Sequence, residues 1–326
     1  MRDSVEEKYL GDKLTSEGNI NKTIADRKAK SNGIIAEILS IVSEIPLGKH
    51  RVEVGLKLRE AMFINGILYN SEAWHGMTKK HTKILEQADE GLLRGLINAH
   101  CKAPKEFLYL ETGALPLKWV IAQRRINYLK NILDRSDDEI LKKVFFAQKA
   151  NPTMGDFVEL VGKDLESLGI TESFVETSSK TGLKKHIKKI SKSVALILLK
   201  ERQLKHTKIK NIEYKTLEIQ PYLKSDMSRR EMTMLTALRS QCLKTVRANF
   251  KKIYRNVECP LNCDSDDTQK HLLKCPKIAT EKQLVDINMM YGSVEHQKKI
   301  AVLFMKIMRI RKRLIDEQEE DEEEQE

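Results

Sequence analysis

The chain has 326 residues, of which 40% are hydrophobic and 32% are charged, and its formal net charge is +11. This length suggests about two domains. No apolar run reaches the roughly 18 residues that span a membrane, and the N-terminus lacks the apolar core of a secretory signal. These features argue against membrane and secreted classes, so we expect an intracellular protein, in the nucleus or cytoplasm, with no membrane partner.

The charge is distributed unevenly along the chain. Residues 316–326 include nine acids and no base, so the other 315 residues carry a net charge of +20 once those nine negative charges are removed. Runs of like charge are usually disordered, and we therefore predict a disordered acidic tail over 315–326. The basic remainder indicates RNA and/or DNA as partner, with a generic lysine-rich surface as the alternative.

Only seven prolines and 15 glycines interrupt the chain, which favours a mainly α fold. Residues 8–18 predict a short strand or turn, and we assign 1–20 to a separate N-terminal unit. Helical apolar spacing then predicts a helical domain over 21–175. The expected helices cover 21–45, 49–74 and 78–98, two short segments around a turn at Glu111–Gly113, a helix containing Trp119 and Leu133, and one from about Asp156, capped by Thr153 or Asp156 itself.

The second half of the chain begins with the best linker candidate, the stretch ETSSKTG at 176–182, followed by a predicted basic helical domain over 183–314. Residues 181–210 hold ten Lys or Arg and one acid, Glu201. Apolar residues at helical spacing would face the core and leave the bases on the remaining surface. These bases then either contact phosphates or form a solvated face, and a role at membrane surfaces or as a calmodulin target is a weaker alternative.

Two more helices are predicted after this basic segment. One covers 228–255, is rich in Lys and Arg, and opens with a capping box of Ser228 and Glu231. The other covers about 295–314 and precedes the acidic tail.

A candidate metal site follows the helix over 228–255. The spacing C-x3-C-x7-H-x3-C is formed by Cys259, Cys263, His271 and Cys275. Three Cys and one His are a common tetrahedral zinc set, and Asp267 or Thr268 can cap a short helix that places the last two ligands one turn apart. With four protein ligands, the pattern predicts a closed structural zinc knuckle over 259–275. The alternative is a pair of core cysteines with a surface histidine.

The cysteine pattern also excludes other chemistries. Five cysteines, three of them within one short window, do not form a secreted disulfide framework, and the C-x-x-C spacing of redox sites is absent. We expect the remaining two, Cys101 and Cys242, to be lone buried thiols.

The motif and its neighbours allow a family comparison. The stretch over 235–276 reads LTALRSQCLKTVRANFKKIYRNVECPLNCDSDDTQKHLLKCP. It resembles the C-terminal region of reverse transcriptases of non-LTR (LINE-like) retrotransposons, in which a helix with an LRS element precedes a Cys-Cys-His-Cys zinc knuckle. Four segments earlier in the chain are also similar to that family and occur in the family's order. They are KYLGDKLTSEG (8–18), ILYNSEAW (67–74, with Asn70 in place of Gly), LYLETGALPLKWVIAQRRINYLKNIL (108–133) and NPTMGDFVELV (151–161).

The resemblance implies a helical thumb-like bundle over 21–175, a palm-edge remnant over 1–20 and a basic region with the knuckle. The chain also differs from that family in one respect that concerns catalysis. Polymerase chemistry in that family needs metal-holding carboxylates, one pair of them in a Y/F-A-D-D turn, and this tetrapeptide does not occur here. Asp12 and Glu17 cannot replace them, because both fall in one small turn. We therefore expect no catalysis by this chain alone.

These observations predict a nucleic-acid-binding fragment of an RNA-directed DNA polymerase that binds RNA or RNA–DNA hybrid, mainly through phosphates. We expect the cofactor to be structural zinc. The candidate contacts are Arg124, Arg125, Lys184, Lys185, Lys188, Lys189, Arg247, Lys251 and Lys252, with Tyr254 for base stacking. The acidic DSDD loop at 264–267 would repel phosphate, so we expect contact before it. The alternative function is a helical protein-interaction module with a structural zinc and no nucleic-acid role. A polymerase core supplied by another chain, the nucleic-acid sequence preference and the oligomeric state stay open.

Overall fold

The chain folds mainly into helices, as predicted. The computed structural model describes residues 6–9, 12–15, 20–45, 50–244, 246–254, 256–278 and 286–323. Two short strands, β1 (Glu6–Tyr9) and β2 (Asp12–Thr15), pair antiparallel with Tyr9 opposite Asp12. The predicted strand or turn at the N-terminus is therefore two strands, and its glycines, Gly11 and Gly18, lie outside the described residues.

Thirteen α-helices lie in the described residues. They are α1 (Asn21–Glu44), α2 (Arg51–Leu58), α3 (Asn65–Ile67), α4 (Lys79–Leu96), α5 (Lys105–Thr112), α6 (Leu117–Leu133), α7 (Ile140–Ala150), α8 (Phe157–Leu168), α9 (Glu172–Thr177), α10 (Lys180–Gln203), α11 (Arg229–Arg239), α12 (Gln269–Leu272) and α13 (Val294–Glu323). A π-helical segment, Arg59–Ile64, joins α2 to α3, and single 3₁₀ turns cover Ser71–Ala73, Pro221–Lys224, Arg247–Phe250 and Ile287–Tyr291.

The long helices α1 and α4 pack side by side in the first half and run in the same direction. Leu85, Leu92 and Leu93 of α4 are fully buried because they recur at helical spacing on one face. Gly95 lets α1 approach closely, since a Cβ atom there would lie 2.7 Å from the Leu39 Cδ1 atom. The helix predicted over 49–74 ends earlier, at Ile67, and Asn70 adopts the left-handed φ of 61° that Asn and Gly tolerate best.

The local signals around α5 to α8 fold as the sequence indicates. Gly113 ends α5 with φ of +67°, and a Cβ atom there would lie 2.4 Å from the Glu218 carbonyl carbon, so the turn requires glycine. Asp156 caps α8 by accepting a hydrogen bond of 2.8 Å from the Glu159 N–H. Both features confirm predictions made from the residues alone.

The predicted linker at 176–182 differs from the structure. Its residues form the end of α9 and the start of α10, and Ser179 caps α10. Leu183 and Ile187 of α10 are fully buried, and α10 packs against both α5 and α6. The hydrophobic core is one cluster that extends from α1 to α13. Tertiary burial of one helix face therefore overrides the polar, serine-rich composition that suggested a linker.

Two further helix boundaries differ from the predictions. The helix expected over 228–255 ends at Arg239, and Gln241 takes a left-handed φ of 49° that turns the chain away. Its predicted capping box is confirmed, with Ser228 accepting from the Glu231 N–H and Glu231 accepting from the Ser228 N–H. In addition, α13 continues to Glu323, so the acidic segment up to that residue is helical rather than disordered.

Candidate metal centre and basic surface

The four predicted ligands converge in the structure. One ligand atom each from Cys259, Cys263, His271 and Cys275 lies within 4.8 Å of all the others, and the cluster fits a zinc knuckle. The Cys263 and Cys275 sulfurs are 3.8 Å apart, and the Cys263 sulfur lies 3.1 Å from the His271 Nε2 atom. Tetrahedral bonds of about 2.3 Å to sulfur and 2.0 Å to nitrogen require separations of about 3.8 and 3.5 Å. The arrangement can therefore close around one metal ion after a small adjustment.

The backbone that presents these ligands is built from tight local bonds. Asn262 donates its N–H to the Cys259 carbonyl at 3.1 Å and takes a left-handed φ of 52°, which reverses the chain between the first two cysteines. Thr268 then caps α12 by accepting from the His271 N–H at 3.0 Å, as predicted. Because α12 ends at Leu272, Cys275 is reached by a turn beyond the helix rather than by a continued helical face.

The thiols need a cation to ionise together. Burial and the neighbouring Cys259 and Cys275 thiols raise the pKa of Cys263 to about 12, and burial also raises the pKa of Cys259. A bound metal supplies the compensating positive charge and stabilises the thiolates. Since all four ligands come from the protein, such an ion has no open position for a substrate. The site is suited to stabilising the fold and not to catalysis.

A buried ion pair joins the knuckle to the last long helix. Asp267 is fully buried and accepts 2.7 Å hydrogen bonds from the Arg247 backbone N–H and from Arg311 Nη2 of α13. The sequence predicted Asp267 to be one acid of a phosphate-repelling loop or a helix cap, and it gave no indication of Arg311. Of the loop's three acids, only Asp264 and Asp266 are exposed. No local signal could identify the pair, because its members are 44 residues apart.

The four predicted lysines of α10 form an exposed surface, which we call the lysine face. Lys184, Lys185, Lys188 and Lys189 are exposed, and among the residues that the structure describes no carboxylate forms a salt bridge with any of them. Farther along α10 the apolar stripe is incomplete, since Ile197 is 57% exposed. Positive charge therefore projects from the N-terminal half of this helix without internal neutralisation.

The two predicted arginines of α6 are engaged inside the fold. Arg125 is buried and forms a 2.9 Å salt bridge with Asp164 of α8. Arg124 is half-buried, donates to the Leu68 carbonyl, and donates to Asn65 Oδ1 at 2.8 Å. Their guanidinium groups hold neighbouring elements together and are therefore not free to contact phosphate. The packing of α6 against α8 and the end of α3 determines that both arginines are engaged, and the sequence did not indicate this packing.

The remaining predicted contacts lie beside the knuckle, but not on an α-helix. Lys251, Lys252 and Tyr254 are exposed, whereas Arg247 is half-buried in the 3₁₀ turn, where it donates to the Glu258 carbonyl at 3.4 Å. The Arg247 guanidinium carbon lies 6.0 Å from the centre of the Tyr254 ring. The two lysines and the tyrosine are therefore accessible, while the arginine is partly occupied.

The two cysteines outside the knuckle behave differently from each other. Cys242 is buried, as predicted, and burial raises its pKa. Cys101 is exposed, so the prediction of a buried thiol is wrong for this residue. Cys101 lies in a turn after α4, in which Asn98 takes a left-handed φ of 50° and Lys102 is exposed as well.

Comparison of the chain with protein-family models, with curated proteins and with solved structures found no match. Within the described helices, none combines the length and apolar character needed to cross a bilayer.

Proposed function

We propose that the protein binds RNA or RNA–DNA hybrid through phosphate contacts and carries a structural zinc in its knuckle. The observation that carries the proposal is the lysine face, where four neighbouring charges of α10 are exposed and unpaired within the described residues. Such a row of cations suits the regularly spaced charges of a nucleic-acid backbone. Lys251, Lys252 and Tyr254 offer additional phosphate and base contacts beside the knuckle.

We also propose that the chain corresponds to the thumb and knuckle portion of a non-LTR retrotransposon reverse transcriptase. The support is the order of the similar segments along the sequence, together with a mainly helical fold that ends in a Cys3His cluster. On this proposal the chain alone does not extend a primer. A primer-extension assay with the metal-loaded protein tests this point, and template-dependent synthesis would contradict it.

The binding proposal is tested by fluorescence anisotropy with RNA, RNA–DNA hybrid and duplex DNA over a range of salt. Each lost phosphate contact should lower the slope of log K against log salt by about 0.7–0.9. Replacing the four lysines of the lysine face by Ala should therefore flatten the slope by roughly three units. The matched control removes the same charge from exposed lysines elsewhere: Lys28, Lys30, Lys57 and Lys80. Equal losses in both variants, or a flat salt dependence of the wild type, would contradict the proposal.

Zinc as the resident ion is tested separately. Elemental analysis of the purified protein should give one zinc per chain, and cobalt substitution should produce the absorption bands of tetrahedral thiolate coordination. A His271→Ala variant should retain less metal. If the wild type holds no metal after purification without chelators, the cluster is only a group of packed thiols.

A helical interaction module is the second candidate, and one surface favours it. Ile140 and Val144 of α7 are 79% and 48% exposed and lie one helical turn apart, so they form a small apolar stripe. Deleting residues 316–326 distinguishes the candidates. Affinity for nucleic acid should rise if the acidic segment competes with phosphate, and it should stay absent if the protein binds only other proteins.

A further inference from the structure

A second positively charged feature lies in a cavity away from the knuckle. The cavity has a volume of about 450 Å³ and lies among α4, α5, α6 and α10. This volume falls within the range of small-ligand sites in proteins. The cavity collects five cationic side chains from these four helices: Lys79, Lys83, Lys105, Lys118 and Arg202.

The charge of this cavity, which we call the cationic cavity, is poorly compensated. Glu86 is the only carboxylate in its lining, so the lining carries a formal net charge of +4. In the part of the chain that the structure describes, none of the five cations forms a salt bridge. Glu90 lies close enough to Lys105 to act on it electrostatically, but it does not line the cavity. The arrangement therefore leaves several positive charges around one cavity that is partly open to solvent.

Mutual repulsion acts on the charges at the centre of this group. Lys118 is half-buried, and burial, followed by the positive charge of Arg202, lowers its pKa. Its Nζ atom lies 4.0 Å above the centre of the Trp119 ring, which holds the ammonium group in place. Burial raises the pKa of Glu86, and the positive charge of Lys105 and the Lys118 backbone N–H oppose this rise. A bound anion would relieve the repulsion without any large rearrangement.

The cationic cavity lies on the same side of α10 as part of the lysine face. Ala195, Leu198 and Arg202 line it at intervals of three and four residues, and the same interval continued backwards reaches Lys188 and Lys184. At 1.5 Å per residue, Lys188 and Arg202 are about 21 Å apart along the helix. Ser191 and Ala195, which lie between them on this side of α10, are buried, so the lysine face and the cavity are separate on the protein surface.

We propose that the cationic cavity is a binding site for a phosphate group of high negative charge, either a polyphosphate or the terminal phosphate of a nucleic-acid strand. A terminal phosphate of a strand as ligand rests on the proposed nucleic-acid function, whereas a free polyphosphate as ligand does not. The apolar part of the lining, with Leu198, Leu199 and Pro116, can contact the organic part of a nucleotide. The cationic cavity differs from the lysine face in charge density. Its cations line one cavity, whereas those of the lysine face lie in a row on an open surface.

The first test measures binding of tripolyphosphate to the full metal-loaded chain by isothermal titration calorimetry. Lys118→Met should weaken binding about tenfold, because one charge-assisted contact is lost while the side-chain volume is kept. Glu86→Gln should strengthen binding severalfold, because it removes the only carboxylate of the lining and keeps a hydrogen-bond acceptor. A merely structural disturbance would not produce effects of opposite sign. Lys57→Met, which removes one charge from an exposed lysine outside both surfaces, is the matched control and should leave tripolyphosphate binding unchanged.

The second test distinguishes the two sources with one short RNA that carries either a 5′-phosphate or a 5′-hydroxyl group. If the strand end is the ligand, the phosphorylated RNA should bind more tightly to the wild type, and Lys118→Met should abolish the difference. If the two RNAs bind equally while tripolyphosphate still binds, a free polyphosphate is the ligand. Absence of tripolyphosphate binding, or equal losses in Lys118→Met and in the control, would overturn the cavity proposal. RNA binding that persists in that case leaves the proposed function intact.

Discussion

The ion pair between Glu111 and Arg239 offers a decisive test of how the two halves are joined. Glu111 is the next-to-last residue of α5, and Arg239 ends α11, 128 residues later. Both side chains are buried, and the Glu111 Oε1 atom accepts from Arg239 Nη2 at 2.7 Å and from the Tyr214 hydroxyl at 2.6 Å. Arg239 also donates to the Met290 carbonyl at 2.9 Å. The ion pair thus connects α5, α11 and the segment that precedes α13.

Glu111→Gln should lower the free energy of unfolding by about 3–5 kcal/mol, because it leaves the Arg239 guanidinium buried without its counter-charge. This is a large part of the roughly 5–15 kcal/mol that stabilises most proteins. Adding Arg239→Met removes the uncompensated charge and should recover part of the loss, since apolar replacements of a buried pair are often nearly neutral. The double-mutant cycle should therefore give a coupling energy above about 1 kcal/mol.

Urea unfolding followed by two probes measures these effects. Both tryptophans, Trp74 and Trp119, lie in the first half, so their fluorescence reports that half, while far-UV circular dichroism reports the whole chain. Because one core extends through both halves, the two probes should show the same midpoint in the wild type. Glu172→Gln, at an exposed salt bridge, is the control and should cost less than 1 kcal/mol. A loss below 1 kcal/mol for Glu111→Gln, or additive effects of the two changes, would refute the reasoning.

Three other predictions concern the knuckle and the thiols. Metal affinity, measured by chelator competition, should fall as the pH falls from 8 to 6. The pKa values of Cys259 and Cys263 are raised, so metal binding must displace their protons. An affinity that does not change with pH would contradict this prediction. In the metal-loaded protein, iodoacetamide should modify exposed Cys101 rapidly and buried Cys242 only on unfolding, as peptide mass spectrometry can show. Asp267→Asn should increase hydrogen exchange in α13 and α12, and unchanged exchange would mean that the buried pair does not hold the knuckle in place.

The sequence predicted those elements whose cause is local. Thr268, Asp156 and Ser228 cap helices where predicted, because a side-chain oxygen a few residues from the N–H groups of the first turn is enough to form a cap. Gly113 forms its turn for a similarly local reason, since its positive φ favours glycine. The Cys3His cluster was also predicted, because four ligands within 17 residues can meet only by local folding.

The predictions that failed depended on distant partners. Arg124 and Arg125 were expected to be free for phosphate, yet each is held by a residue at least 39 positions away in the chain. The stretch 176–182 looked like a linker until burial of Leu183 against other helices made it the start of α10. The helix expected to reach 255 kept its apolar periodicity past Arg239, but the chain turns there to place the knuckle beside α13.

By itself, the sequence determined the mainly helical character, the local caps and turns, the ligand set of the knuckle and the excess of positive charge. Only the tertiary structure decided which cations are paired, which are exposed on the lysine face and which face the cationic cavity. The physical reason is one of range. Periodicity, capping and ligand spacing act over a few residues, whereas the state of a charged side chain depends on which helices pack around it.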